Sequence, residues 1–167
     1  VVASLNQWGS LAAELGGGAH RVYAVDVRDR PALHAAAADF IATTGCPDIV
    51  IANAGISVGV DTAVRADLDV IQRTFATNNI GMAATFHPFV QGMTERKSGT
   101  LVGIGSVAGI RGLPGHGAYC ASKAAVISYC ETLRVELKRA GVRVVTICPG
   151  FVATPLTREN RYAMPFL

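Results

Sequence analysis

Charge is scarce in this chain: Asp, Glu, Lys and Arg make up 16% of its 167 residues, while half of the residues are apolar. That balance suits one domain whose core holds a sheet buried on both faces, and no second domain is needed. Clustered basic charge is missing as well. The net charge is +3 and no Lys/Arg run exists beyond Glu95-Arg96-Lys97, so solvated surface accounts for it and no nucleic acid or other polyanion is expected as a partner. No apolar run reaches the ~18 residues of a membrane span, so no membrane partner is expected either. Cys46, Cys120, Cys130 and Cys148 show no C-x-x-C spacing. This argues against a zinc or disulfide frame and for reduced, buried thiols in a cytoplasmic protein. His20, His34 and His87 lack ligand spacing, so no metal is expected; His116 alone stands where it could line a pocket, three residues before Tyr119. An initiating Met is absent too. The chain opens Val1-Val2-Ala3, where a targeting peptide would leave no trace.

What is present is alternation. Short apolar runs at residues 22–25, 49–52, 100–105 and 142–148 read as strands, and residues 1–3 as the end of another. Helical patterns fall at residues 8–15, 31–43, 67–93 and 117–140. Pro31 sits in a first turn, Asp29 suits a helix cap, and Gly141 ends the last helix. The long 67–93 pattern is expected to break near Asn78 and Gly81 and again at Pro88. Strands alternating with helices imply parallel pairing through right-handed crossovers, hence a doubly wound sheet in an α/β fold. Ligands of such sheets bind beyond the carboxyl ends of the strands, and Asp26, Asn53, Ser106 and Pro149 each stand where a strand ends.

The chemistry gathers in Tyr119-Cys120-Ala121-Ser122-Lys123. Positions four apart share one face of a helix, so the Lys123 ammonium can sit beneath the Tyr119 phenol and favour phenolate. An ordinary phenol titrates near pH ~10 and each unit of depression is worth about 1.4 kcal/mol, so a fixed cation makes Tyr119 a usable acid or base. Ser106 lies thirteen residues upstream, at the end of an apolar strand. Taken singly, a core tyrosine, a solvated lysine and a turn-forming serine would explain these residues equally well.

Asn53-Ala54-Gly55 follows Ile49-Val50-Ile51-Ala52, Asn78 and Gly81 form an Asn-x-x-Gly step, and Pro149-Gly150 follows Val144-Val145-Thr146-Ile147-Cys148. In this order, around Ser106, Tyr119 and Lys123, the motifs resemble the short-chain dehydrogenase/reductases, the single-domain branch with an Asn-Ser-Tyr-Lys tetrad, from about residue 21 to 167. The resemblance implies a Rossmann-like, three-layer α/β/α fold: one NAD(P)-binding domain over residues 1–167, incomplete at both ends. It implies hydride transfer between NAD(P)(H) and a carbonyl or secondary alcohol. Tyr119 would be the acid/base, Lys123 would lower its pKa and hold the ribose hydroxyls, and Ser106 would hold the substrate oxygen. Asn78 would keep a relay water on a backbone carbonyl freed by a helix distortion; the register selects it over Asn79. Asp26 would accept from the adenine amino group with Val27 against the ring. Asn53 would brace neighbouring strands, while Ala54 and Gly55 let the backbone approach the ribose. Beyond Pro149-Gly150, the Val152 backbone and the Thr154 hydroxyl would hold the carboxamide.

The family's opening glycine-rich turn is not found in this sequence. Gly16-Gly17-Gly18 reads as a helix stop, and Gly103, Gly105 and Gly109 have the wrong spacing for phosphate binding. The segment is expected to belong to the molecule outside these residues. Ala3-Ser4-Leu5-Asn6 offers no acid for a ribose hydroxyl, which tilts the cofactor from NAD to NADP. Ile56, Ser57, Val107, Leu113, Phe151 and residues 156–167 would line an apolar substrate pocket for a small carbonyl or alcohol. Small residues Ala121, Ala125 and Ser128 permit close helix approach, and the family commonly dimerises there, so a homodimer or homotetramer is expected. A non-catalytic nucleotide-binding protein on the same fold and a sugar-nucleotide epimerase or dehydratase are the alternatives.

Overall fold

In the computed structural model, which describes residues 21–150, regular structure begins where Asp29 caps a helix. Its carboxylate accepts from the Ala32 amide at 3.1 Å, and Pro31 fills a first-turn position that needs no backbone donor. This helix, α1, spans Arg30–Thr44 and stops at Gly45, whose φ of 88° lies in the left-handed region. The strand expected at residues 22–25 is not formed among the described residues. A strand needs a ladder partner, and here the side chains turn to α1 instead: Arg21 pairs with Asp39 at 3.4 Å and the Tyr23 hydroxyl donates to the same carboxylate. Residues 1–3, 8–15 and 16–18, with His20, lie outside the described residues.

Three parallel strands follow in spatial order: β1, Ile49–Ala52; β2, Gly99–Ile104; and β3, Val142–Ile147. Register pairs Val50 with Leu101 and Leu101 with Val144, which sets one row of apolar side chains on a single face. That face carries the core, where Phe86, Met93, Leu101, Val126 and Cys130 are all but completely buried. At ~25 cal/mol per Å² of apolar surface removed from water, this layer is the main stabilising contribution. On the other face Ile49 and Ile51 are each 57% exposed, and no helix of the described residues covers them. The described part of the doubly wound fold therefore holds one of its two helical layers.

The long helical pattern is one rod with a local fault. Helix α2, Asp67–Phe75, runs into a π-helical turn, Ala76–Ile80, and then into α3, Gly81–Arg96. The interruption expected near Asn78 and Gly81 is this turn. Pro88, by contrast, does not break α3; burial of Phe86, Phe89 and Met93 on the core side holds the helix through the missing donor. Helix α4, Gly117–Leu137, crosses from the site to the start of β3 and ends in a 3-10 turn, Lys138–Ala140, with Gly141 at φ 72°. No described helix is long and apolar enough to cross a membrane.

Candidate active site

The π-turn sets the site's geometry. The Gly81 amide donates to the Ala76 carbonyl five residues back, and the two asparagines between them both reach α4. Asn78 is 2% exposed and its amide is fully engaged: Oδ1 accepts from the Ile56 amide at 2.8 Å, while Nδ2 donates to the Ile56 carbonyl at 3.0 Å and to Ser122 Oγ at 2.9 Å. Asn79 donates to the Ser122 carbonyl at 2.9 Å. Gly81 is needed for packing here, because a Cβ would stand 2.7 Å from Val27 Cγ2.

On α4, Lys123 is buried, with Nζ donating to the Ile104 carbonyl at the end of β2 at 2.7 Å. Its ammonium lies 5.7 Å from the ring centroid of the half-buried Tyr119, as four-residue spacing on a helix requires. Burial pushes the Lys123 ammonium from 10.5 down to about 8, with charge on Cys148 acting the other way. Gly55 closes this group from the β1 side. A Cβ there would stand 3.4 Å from Asn78 Oδ1 and 3.5 Å from Lys123 Nζ, so glycine leaves open a cradle beside the ammonium.

Ser106 is buried on the loop after β2, where its Oγ accepts from the Ala108 amide at 3.1 Å and opens the short turn Val107–Gly109. The hydroxyl proton has no acceptor among the described residues, so it is available to a ligand oxygen. Gly109 presses this loop onto α4, since a Cβ there would meet the Lys123 carbonyl oxygen at 2.8 Å. Val107 donates to the Pro149 carbonyl at 3.1 Å, which ties the β3 exit to the same place. Asn78, Ser106, Tyr119, Lys123, Gly55 and Pro149 thus share the carboxyl edge of the sheet, and Ala54 and Gly150 flank it. Gly103 and Gly105 are packing positions, as expected for glycines outside a phosphate loop: side chains there would strike Cys130 and Cys148. All four cysteines are free thiols.

The adenine side is arranged differently from expectation. Asp26 is exposed, and both of its oxygens are taken by the Arg28 guanidinium, with Nε at 3.0 Å from Oδ1; that pairing holds the carboxyl at about 2 instead of 3.8. Val27 turns inward onto Gly81 and is 6% exposed, so its side chain fills the core edge. Asn53 is exposed and no hydrogen bond joins its side chain to another described residue; Asn78 holds this loop through Ile56. Val152, Thr154, Phe151 and residues 156–167 lie outside the described residues, as does Ala3-Ser4-Leu5-Asn6. Two participants escaped sequence reasoning: the Ile104 carbonyl, which no side-chain pattern reveals, and Ser122, whose signal was a serine in mid-helix between Tyr119 and Lys123.

Comparison with known proteins agrees with this geometry. A profile of the family described as short chain dehydrogenase matches residues 2–164. An uncharacterized oxidoreductase of Myxococcus xanthus is 48% identical over 126 residues, covering 75% of this chain and 49% of its own. A protein of Xanthobacter autotrophicus described as inactive 2-(S)-hydroxypropyl-CoM dehydrogenase 2 is 38% identical, covering 86% of this chain and 61% of its own. The crystal structure of serine dehydrogenase from Escherichia coli superposes with a TM-score of 0.80 at 30% identity, over 93% of this chain and 73% of that one. The chain therefore spans about half to three fifths of the two relatives' lengths. With a family profile over nearly all of its residues and a parallel sheet bearing Tyr119 and Lys123 at its carboxyl edge, this chain belongs to the short-chain dehydrogenase family.

Proposed function

We propose that this chain carries the catalytic edge of an oxidoreductase that moves hydride between NAD(P)(H) and a carbonyl or secondary alcohol. The observation that carries the reading is the buried Lys123 ammonium, fixed by the Ile104 carbonyl and facing the Tyr119 ring at 5.7 Å. One relative is described as inactive, so family membership alone does not establish turnover. The argument for it is that Asn78, Ser106 and Lys123 are buried at one edge of the sheet, with Tyr119 beside Lys123 on α4.

Glycine at position 55 lets a ligand approach the backbone beside Lys123, and Asp26, Asn53 and Gly150 are exposed along the same edge. Gly55, Ala54, Lys123 and Pro149-Gly150 would hold a nicotinamide cofactor there, with Asp26, Val27, Asn53, Val152 and Thr154 as the remaining contacts by family likeness. When bound, that cofactor supplies or accepts the hydride. Tyr119 gives a proton to the substrate oxygen in reduction and removes it in oxidation. Ser106 donates its uncommitted proton to the same oxygen, where negative charge develops. Lys123 keeps two N–H donors beyond the one bound to Ile104, enough for both ribose hydroxyls. Asn78 holds the π-turn against α4, and a carbonyl of that turn is the place for a relay water. NADP is favoured over NAD on the absence of an acid in Ala3-Ser4-Leu5-Asn6.

Apolar Val107, 44% exposed, and Ile110, 75% exposed, beside Ser106 favour a hydrophobic ketone, aldehyde or alcohol. Exposed Val135 and Tyr129 on α4 with Leu68 and Ile71 on α2 support assembly through these helices, a homodimer or homotetramer that light scattering would read. Cofactor oxidation with a ketone series tests the activity: Tyr119→Phe is expected to lower kcat by about 10²- to 10⁴-fold while cofactor binding persists. Equal rates in wild type and Tyr119→Phe would end the reading.

A further inference from the structure

Ser122 belongs to no tetrad, yet it accepts two hydrogen bonds from the π-turn, from Asn78 and Asn79, and donates one to the Tyr119 carbonyl of its own helix. We propose that Ser122 is a positioning residue: its hydroxyl fixes the Asn78 amide and the Tyr119 turn in one register, and Asn79 grips the same residue by its backbone. The inference rests on the reading of Tyr119, Lys123 and Asn78 given above.

A serine hydroxyl has one proton, and here it is given to the Tyr119 carbonyl at 2.7 Å. Only lone pairs are left to face Asn78, so the amide must present Nδ2 to Ser122. That orientation puts Oδ1 against the Ile56 amide at 2.8 Å and the second amide proton against the Ile56 carbonyl at 3.0 Å. A reversed amide would set Nδ2 against the Ile56 N–H and Oδ1 against the Ile56 carbonyl, two repulsive contacts in a buried place. The Ser122 hydroxyl and the two Ile56 backbone groups thereby select the same orientation of Asn78, so Ser122 ties α4 to the loop whose Gly55 borders Lys123 Nζ. The Asn79 bond to the Ser122 carbonyl holds the α4 backbone between Tyr119 and Lys123 without using the hydroxyl. An alanine at position 122 would fill nearly the same fully buried space and make neither side-chain bond. Packing and positioning are therefore separable by experiment.

Steady-state kinetics of the intact protein with NADPH and a ketone make the first test. Ser122→Ala is expected to lower kcat about tenfold or more with the KM for NADPH within about twofold, and to add nothing when Asn78→Ala is already present. Wild-type kcat in Ser122→Ala, or losses that simply multiply in the double variant, would overturn the proposal. Should wild type and Tyr119→Phe prove equally inert, the functional reading fails and amide exchange decides this inference separately. Ser122→Ala and Asn79→Ala are each expected to speed exchange at residues 76–81 and 117–123 while Val142–Ile147 stays as in wild type. Unchanged exchange across both segments overturns the positioning role. Asn79→Ala leaves every tetrad side chain in place and serves this arm if Ser122→Ala does not fold.

Discussion

At the Tyr119 end of the strand edge, Asn78, Ser122 and Lys123 are buried and each is bonded to a different element; at the Asp26 end, the carboxylate is exposed and, among the described residues, held only by Arg28, two residues along. The contrast separates two jobs. Chemistry needs donors and charges fixed before the ligand arrives, because reorganising them during reaction raises the barrier. Recognition of a remote group tolerates a contact that rearranges. The structure spends its buried hydrogen bonds where a misplaced atom is expected to matter most and leaves an ion pair on the surface where it is not.

Substitutions on the two sides should separate accordingly. After Tyr119→Phe, the largest effect is expected from Ser106→Ala, which removes the donor to the substrate oxygen and should lower kcat by about 10²- to 10³-fold with cofactor binding unchanged in a fluorescence titration. Lys123 gives a pH signature. The folded chain releases this proton near pH 8 and the unfolded chain near 10.5, so between those values the unfolded state binds more protons and raising the pH stabilises the fold. The gain should reach roughly 3 kcal/mol in denaturant titrations of the cofactor-free protein, and Lys123→Met should lack it. Gly81→Ala drives a methyl into Val27 and should cost about 1–3 kcal/mol, with Val27→Ala restoring most of it. Smallest is Arg28→Ala. The stability that the Asp26–Arg28 pair supplies is present above pH 3.8 and lost as pH falls toward 2, but the pair is about half exposed and screened by solvent, so acid titration should show only a small loss. A loss larger than that of Gly81→Ala would reverse the comparison.

The sequence was most legible where local rules and site chemistry agree. The Asp29 cap, Pro31, the β1, β2 and β3 runs and the helix carrying Tyr119 and Lys123 all stand where periodicity and capping put them. It was less legible where tertiary contact decides. Residues 22–25 have a strand's composition but no ladder partner among the described residues, and the Tyr23 hydroxyl bonds to Asp39 of α1. Pro88 has a breaker's composition but sits in a helix held by Phe86, Phe89 and Met93. The packing of Val27 on Gly81 and the hold of Asn78 on Ile56 were not legible, because burial and hydrogen bonding between distant segments leave no trace in spacing. Ser122 was invisible as a participant for the same reason: its partners Asn78 and Asn79 are more than forty residues away.

Transfer of label is the most direct measurement of the central claim. The intact protein would be incubated with a hydrophobic ketone and NADPH, or NADH, deuterated at the transferable position, and the alcohol analysed by mass spectrometry. The account predicts deuterium at the carbinol carbon in wild type and little labelled alcohol with Tyr119→Phe. Alcohol formed without the label, or labelled equally in the Tyr119→Phe variant, would contradict it.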